Sequence, residues 1–358
     1  MEVPHSAGTG VAYRRYLRRK WLVLAVLAVL LAASCIASAY AGSSGISPLE
    51  ILRSLFGGGT EQSRTILWNV RTPRIATGVG VGFALAMTGC VMQSVLRNPL
   101  ASASTLGVSQ GASFGAAAAI VFLGAGVQTA SGSGGAVSVT DPGLVTLCAF
   151  LGGVATTAVI LLLSRIGGAS PSTIVLSGVA VSSLFTGATA LVQYFADDVT
   201  VSSVVYWTFG SLGRAGWDQI GLIFFLCLGA FLYFFLNRWN YNALESGSAA
   251  AKSLGVHVDA LTLVSLVVCA LVTAVSVAFV GCINFIGLLS PHMVRRFVGN
   301  DYRFLLPCSA LAGAVLMLWA DIASRVVIPP TVLPIGAITS FLGAPVFLYI
   351  LFQGGRRP

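Results

Sequence analysis

The sequence predicts an all-α, polytopic membrane protein of about ten transmembrane helices with both termini in the cytoplasm. Three observations carry this. Of 358 residues, 56% are hydrophobic and only 9% are charged, against about 25% charged in a soluble domain. Too little charge is left to cover a water-facing surface, which excludes a soluble enzyme, a nucleic-acid-binding domain and a disordered scaffold. The apolar residues form continuous runs near the ~20 residues that cross hydrocarbon as a helix, without the period-2 alternation of a barrel. The third observation is where the 20 Lys and Arg fall. With the N-terminus inside, alternate loops place fourteen of them in the cytoplasm. Arg53, Arg64, Arg71, Arg74, Arg214 and Arg325 fall outside, as the positive-inside rule requires.

Residues 1–20 are expected to form a basic cytoplasmic N-terminus holding Arg14, Arg15, Arg18, Arg19 and Lys20. The first span, 21–41, is preceded by this charge and ends near Ala37-Ser38-Ala39, a pattern that resembles a cleavable signal peptide. A retained helix is the simpler reading, because the rest of the chain is equally apolar. Further spans are predicted at 75–96, 100–127, 143–164, 172–195, 219–236, 260–282, 285–294, 304–320 and 332–352. Residues 21–353 thus form one helical domain, and 354–358 a cytoplasmic tail. The span at 285–294 is too short to cross as a regular helix and is expected to be half-buried in protein. Glycines four apart (Gly78 and Gly82; Gly107, Gly111 and Gly115) predict helices that approach closely. Residues 43–74 and 197–218 form polar surfaces outside, and 237–258 forms one inside. The seven cysteines are dispersed singly in apolar runs and read as packing residues, not as disulfides or metal ligands.

Catalytic signatures are weak. Gly107-Val-Ser-Gln-Gly111 fits G-x-S-x-G, but that motif needs a strand-to-helix elbow and a histidine base, and this one lies in a Gly/Ala-rich transmembrane run. His292, beside Arg295 and Arg296, reads as a helix-end histidine. Lys252-Ser253 lacks the glycine that a P-loop requires before its lysine. Uphill work would therefore draw on ATP hydrolysed by another chain. An ion-coupled carrier is the alternative class, and it would place carboxylates mid-membrane; Asp321, the nearest, sits at a span end. No cofactor is expected.

A set of ordered blocks carries a more specific signal. It runs Arg71-Thr-Pro-Arg74, Gly89-Cys-Val-Met-Gln93, Arg97-Asn-Pro-Leu-Ala101, Leu106-Gly-Val-Ser-Gln-Gly-Ala112, Trp207-Thr-Phe-Gly-Ser-Leu212 and Leu254-Gly255. It continues with Phe285-Ile-Gly-Leu-Leu-Ser-Pro-His292, Asp321-Ile-Ala-Ser-Arg325, Leu333-Pro-Ile-Gly336 and Gly343-Ala-Pro345. From about residue 45 to 352 this order resembles the iron-siderophore/cobalamin/heme permease family of ABC importers.

The resemblance implies a ten-helix subunit that pairs, as homo- or heterodimer, around a translocation pathway. Two cytoplasmic ATPase subunits and an extracytoplasmic substrate-binding protein are the implied partners. It further implies import of an iron(III)-siderophore or a related metal chelate, with cobalamin and heme as alternatives, and no enzymatic activity of the chain itself. Arg71, Arg74 and Arg325 match the arginines that meet glutamates of the binding protein; the other reading is that they mark helix ends or pair internally with Asp321. The segment 243–256 resembles the coupling segment, two short helices seated in a cleft of the ATPase, with Glu245, Gly247, Ser248, Lys252, Leu254 and Gly255 as contact or hinge residues. It departs from the family's G-E-x-A-x-x-x-L-G pattern, since Ser248 stands in place of glutamate and Glu245 lies three residues earlier. Gly255 would allow the reversal into the next span. Ser109, Ser113, Ser177, Ser182, Ser183 and Thr186 are candidates to line the pathway, unless their hydroxyls bond to helix backbone instead.

Overall fold

The computed structural model describes residues 7–41, 50, 53–54, 57–129, 137–139, 141–166, 170–329 and 331–354. In chain order the helices are α1 (Ala7–Tyr40), α2 (Glu61–Val95, with a π turn over Leu67–Arg71), α3 (Val108–Phe122), α4 (Pro142–Ile166) and α5 (Pro171–Tyr194). They continue as α6 (Asp198–Thr208), α7 (Trp217–Leu236), α8 (Arg238–Glu245), α9 (Ser248–Ser253), α10 (Val258–Val280), α11 (Ile286–Val298), α12 (Tyr302–Val326) and α13 (Ile335–Gly354). Lipid offers no partner to a bare N–H or C=O, so continuous apolar runs close their hydrogen bonds within a helix. Among the described residues, seven helices are long and apolar enough to cross a membrane. With α3, α11 and α13 they match the ten predicted spans. A small antiparallel ribbon, β1 (Gly126–Thr129) paired with β2 (Val137–Val139), lies between α3 and α4.

Helices α2, α10 and α12 form the buried centre, while α1 and α5 expose most of their surface. Close approach needs small residues. A methyl on Gly82 would collide with the backbone of Gly313 and Ala314 on α12, and one on Gly89 with the backbone of Gly287 on α11. Of the four-residue glycine pattern, Gly82, Gly111 and Gly115 face neighbouring backbone, as such spacing allows. Gly78 instead meets the side chains of Leu318 and Leu212, and Gly107 adopts φ +78° as the residue that opens α3.

Three predicted boundaries change most. The second span was expected from residue 75, but α2 begins at Glu61. The third span was expected from residue 100, but α3 begins at Val108. Before it, the Ser102 N–H donates to Thr105 Oγ1 (2.8 Å) and the Thr105 N–H to Ser102 Oγ (3.3 Å). These side chains offer the backbone an alternative to helix, and burial of Ala101, Ser102, Ala103 and Leu106 keeps the segment inside protein. The first helix is also longer than its apolar run. Its 34 residues span about 51 Å, against about 30 Å of hydrocarbon, so Arg14, Arg15, Arg18 and Arg19 continue the helix as exposed turns.

The short α11 follows a break after α10, as its length demanded. Gly281 (φ +86°) and Phe285 (φ +66°) bend the chain. The carbonyl freed at the end of α10 is satisfied by protein: the Ser211 N–H donates to Val280 O (2.7 Å).

Candidate functional site

The polar chemistry gathers at three levels: one end of the bundle, a groove along α3 and α5, and the opposite end. At the first level Asp321, fully buried on α12, meets two arginines. Arg74 Nε donates to Oδ1 at 2.7 Å, and Arg325 Nη2 lies 2.9 Å from Oδ2. Arg325 also donates to Ser38 Oγ (2.7 Å) and Ala41 O (2.6 Å) on the end of α1. Arg71 donates to Ala39 O and is itself buried. The three arginines assigned to docking are thus committed internally, with side chains of Arg74 and Arg325 only 14% and 10% exposed. The physical reason is the cost of Asp321: a buried carboxylate needs opposing charge, and Arg74 and Arg325 supply it. Arg53, ahead of α2, and Arg64, in its first turn, were passed over by sequence reasoning and are exposed.

The groove holds about 380 Å³ between α3, α5, the end of α6 and the α10–α11 break. Ser109, Gln110 and Ser113 face Thr186, Thr189 and Gln193 across it, with Asn284 at the break. An adjoining space of about 440 Å³ adds Ser182 and Ser183. Five of the six predicted lining residues are thus brought together; Ser177 is not at either space. The backbone reading holds as well. Ser182, Ser183 and Thr186 donate to Gly178 O, Val179 O and Ser182 O at 2.6, 3.0 and 2.8 Å. Their hydrogens are spent on the helix and their lone pairs remain, so the donors of the wall come chiefly from the amides of Gln110, Gln193 and Asn284. Gln110, Thr189, Gln193 and Asn284 were missed; the stripe 182–186–189–193 at helical spacing was the readable signal.

At the opposite end, α8 and α9 form an elbow. Gly247 opens α9 at φ +105° and Gly255 leaves it at φ +85°. The elbow is anchored by α8. Tyr241, fully buried, shares a 2.7 Å hydrogen bond with Ser265 on α10 and packs on Tyr302, ring centroids 5.1 Å apart. Tyr302 Oη donates to Cys90 O on α2 (2.8 Å), and its N–H donates to Asn242 Oδ1 (2.8 Å). Glu245 accepts from Ser94 Oγ and Asn300 Nδ2, each at 3.1 Å, so its carboxylate is tied to the bundle. Ser248 meets Arg97 Nη1 at 3.4 Å. Lys252 pairs with Asp259 at 3.2 Å, and Leu254 projects with 71% of its surface exposed.

Residues 29–353 match the FecCD transport family. The chain belongs to that family. It is 45% identical over 357 residues, the full length of both chains, to an ABC transporter permease protein of Methanocaldococcus jannaschii. It is 34% identical over 338 residues to the hemin transport system permease protein HmuU of Yersinia pestis, covering 93% of this chain and 96% of that one. Among solved structures it is similar to a metal-chelate type ABC transporter in an inward-facing conformation, with TM-score 0.77 and 28% identity, covering 93% of this chain and 99% of that one. This FecCD protein is accordingly a multi-pass membrane permease of the ABC-importer class.

One basic residue at the end of the N-terminal segment of the FecCD chain is buried. Lys20 is 2% exposed and lies 3.5 Å from Asp301 in the α11–α12 turn, its ammonium 4.1 Å from the Tyr16 ring centroid. Burial alone would lift the Asp301 carboxyl. The hydrogen bonds from Arg303 and the charge of Lys20 outweigh it and hold the group below the ordinary carboxylate value. A lowered folded value stabilises above the unfolded pKa of about 3.9 and is lost as pH falls through the folded one. Asp301→Asn, which strands the Lys20 ammonium, is expected to lower stability by about 3 kcal/mol at neutral pH. In thermal unfolding of detergent-solubilised protein, the gap from the parent should close below about pH 4; a gap constant with pH would refute the pairing.

Proposed function

We propose that this FecCD permease is the membrane half of an ATP-driven importer for an iron(III)-siderophore or a related metal chelate. In this reading both termini and the α8–α9 elbow face the cytoplasm. Two ATPase subunits seat on the elbow, a second permease subunit completes the pathway, and a loaded binding protein docks at the opposite end. The observation that supports it most is the anchoring of α8. Through Tyr241 and Tyr302, displacement of the elbow reaches α10, α12 and α2, the three most buried helices. A push at one surface thereby becomes a shift of packed helices, with Glu245 fixing α8 to the bundle and Gly247, Ser248, Lys252, Leu254 and Gly255 shaping the exposed face.

The groove supports the passage. A large polar chelate needs walls that wet it without holding it, and hydroxyls already bonded to backbone do this. At the docking end, the arginines around Asp321, Arg74 and Arg325, with Arg71 beside them, would orient an acidic partner. Exposed Arg53 and Arg64 add charge that such a partner can touch directly. Heme and cobalamin are the alternative cargoes, and the hemin permease among the relatives favours keeping heme in the comparison.

The deciding experiment is uptake into proteoliposomes holding the permease with its ATPase and binding protein, using radiolabelled ferric siderophores, heme and cobalamin. Accumulation of a ferric siderophore that requires ATP is the expected result. Accumulation driven by a proton gradient without ATP would establish the ion-coupled alternative.

A further inference from the structure

A cavity of about 400 Å³ lies beside the elbow, outside the groove described above. It is bounded by the last turns of α2 and α4, the first turns of α5 and α10, and one side of α8 and α9. Its floor is apolar, built by Leu161, Ile174, Leu263 and Leu266. Its rim carries Arg97, Arg165 and Lys252, with Asp259 the one carboxylate. Asp259 is taken by Lys252 at 3.2 Å. Neither Arg97 nor Arg165 meets a carboxylate among the described residues; Arg97 reaches only the hydroxyl of Ser248, at 3.4 Å.

The location sets the solvent. Helices that cross hydrocarbon end at this level, so the cavity sits in the headgroup layer, its floor continuing toward the acyl region. Two uncompensated guanidinium groups above a leucine-lined floor match an anion carried on a hydrocarbon chain. A neutral solute would leave the charges unmet, and a free anion would leave the floor wet. A basic pocket between helices at a membrane surface selects acidic headgroups by this same complementarity. Guanidinium, planar and multiply donating, suits phosphate oxygens.

We propose that this cavity is a binding site for an acidic glycerophospholipid, its phosphate held between Arg97 and Arg165 and its acyl chain along Leu161 and Leu263. Because Arg97 and Lys252 also touch the elbow, a bound lipid bridges the α2 and α4 ends to α9. The site requires only that the chain lie in a membrane, and so stands apart from the cargo and the direction of transport.

The test is native mass spectrometry of the delipidated full chain with phosphatidylglycerol or phosphatidylcholine. Two uncompensated cations predict a preference of about tenfold or more for phosphatidylglycerol. Arg165→Ala should cut that retention at least about fivefold and lower phosphatidylcholine adducts by a smaller factor, so that the preference between the two lipids narrows. Arg165 is exposed, so the folded chain should survive, and Arg165→Lys should restore most of the retention. Leu263→Trp, which fills the floor, should lower it independently of charge. Equal retention of the two lipids, or no effect of Arg165→Ala, would overturn the proposal. Complete displacement by millimolar inorganic phosphate would reduce the cavity to a site for free anions. Loss of the bound lipid when the permease is measured within the assembled importer would give the surface to the ATPase instead.

Discussion

Asp321→Asn is expected to destabilise the folded permease by about 3–5 kcal/mol. The carboxylate is fully buried between Arg74 at 2.7 Å and Arg325 at 2.9 Å. Its replacement keeps the shape and removes the charge, leaving two guanidinium groups that are almost as enclosed. The cost is that of stranding a charge, and it should fall sharply when a cation is removed with it. Asp321→Asn with Arg74→Gln should recover a large part of the loss, since the two sites touch and cannot be additive. Thermal unfolding in detergent, read by near-UV dichroism, checks both. An Asp321→Asn protein as stable as the parent would show that the cluster is solvated and that its arginines are free to meet a partner. A destabilised protein whose binding-protein affinity is unchanged would assign the arginines to the bundle alone and docking to the exposed Arg53 and Arg64.

Gly255→Val should abolish ATP-driven uptake while leaving the amount of folded protein in the membrane nearly unchanged. The glycine sits at φ +85° with open space around the position a Cβ would take. Bulk therefore meets nothing, and the penalty is conformational. A β-branched residue in the left-handed region is a genuine outlier, and the elbow escapes the strain by re-aiming α9. Asparagine visits that region routinely and alanine does not, so the series should run Asn, Ala, Val in falling order of uptake. ATPase activity that no longer responds to the loaded binding protein would accompany the loss. If Val and Asn transported equally, the elbow would not be the coupling element, whatever its contacts.

The sequence exposed some parts of the site and hid others for a definite reason. Gly247 and Gly255 were legible because a chain reversal between two short helices needs positive φ, a property of the residue itself. The pathway hydroxyls on α5 were legible as polar residues in an apolar run. Gln110 and Asn284 were not singled out, because only packing brings α3 and the α10–α11 break to the same groove. Glu245 was assigned to the ATPase contact by the resemblance of segment 243–256 to the coupling segment. That Ser94 and Asn300 claim it depends on α2 and the α11–α12 turn arriving beneath α8. The burial of Lys20 was the least legible. A basic residue ahead of an apolar run is normally a topology marker, and nothing local reveals that Asp301 waits for it.

What the residues alone determined was the polytopic, helical nature of the chain, the short eighth segment and several of the places where backbones touch. In lipid each helix must satisfy its own N–H and C=O groups, so composition over some twenty neighbouring residues is decisive. What only the tertiary structure decided was the fate of the charges. Asp321 and Arg74 are 247 residues apart and Lys20 and Asp301 lie at opposite ends of the chain, yet each pair meets within 4 Å. A buried charge is governed by whichever opposite charge the packed helices bring near it, and that neighbour is set by the bundle rather than by its position along the chain.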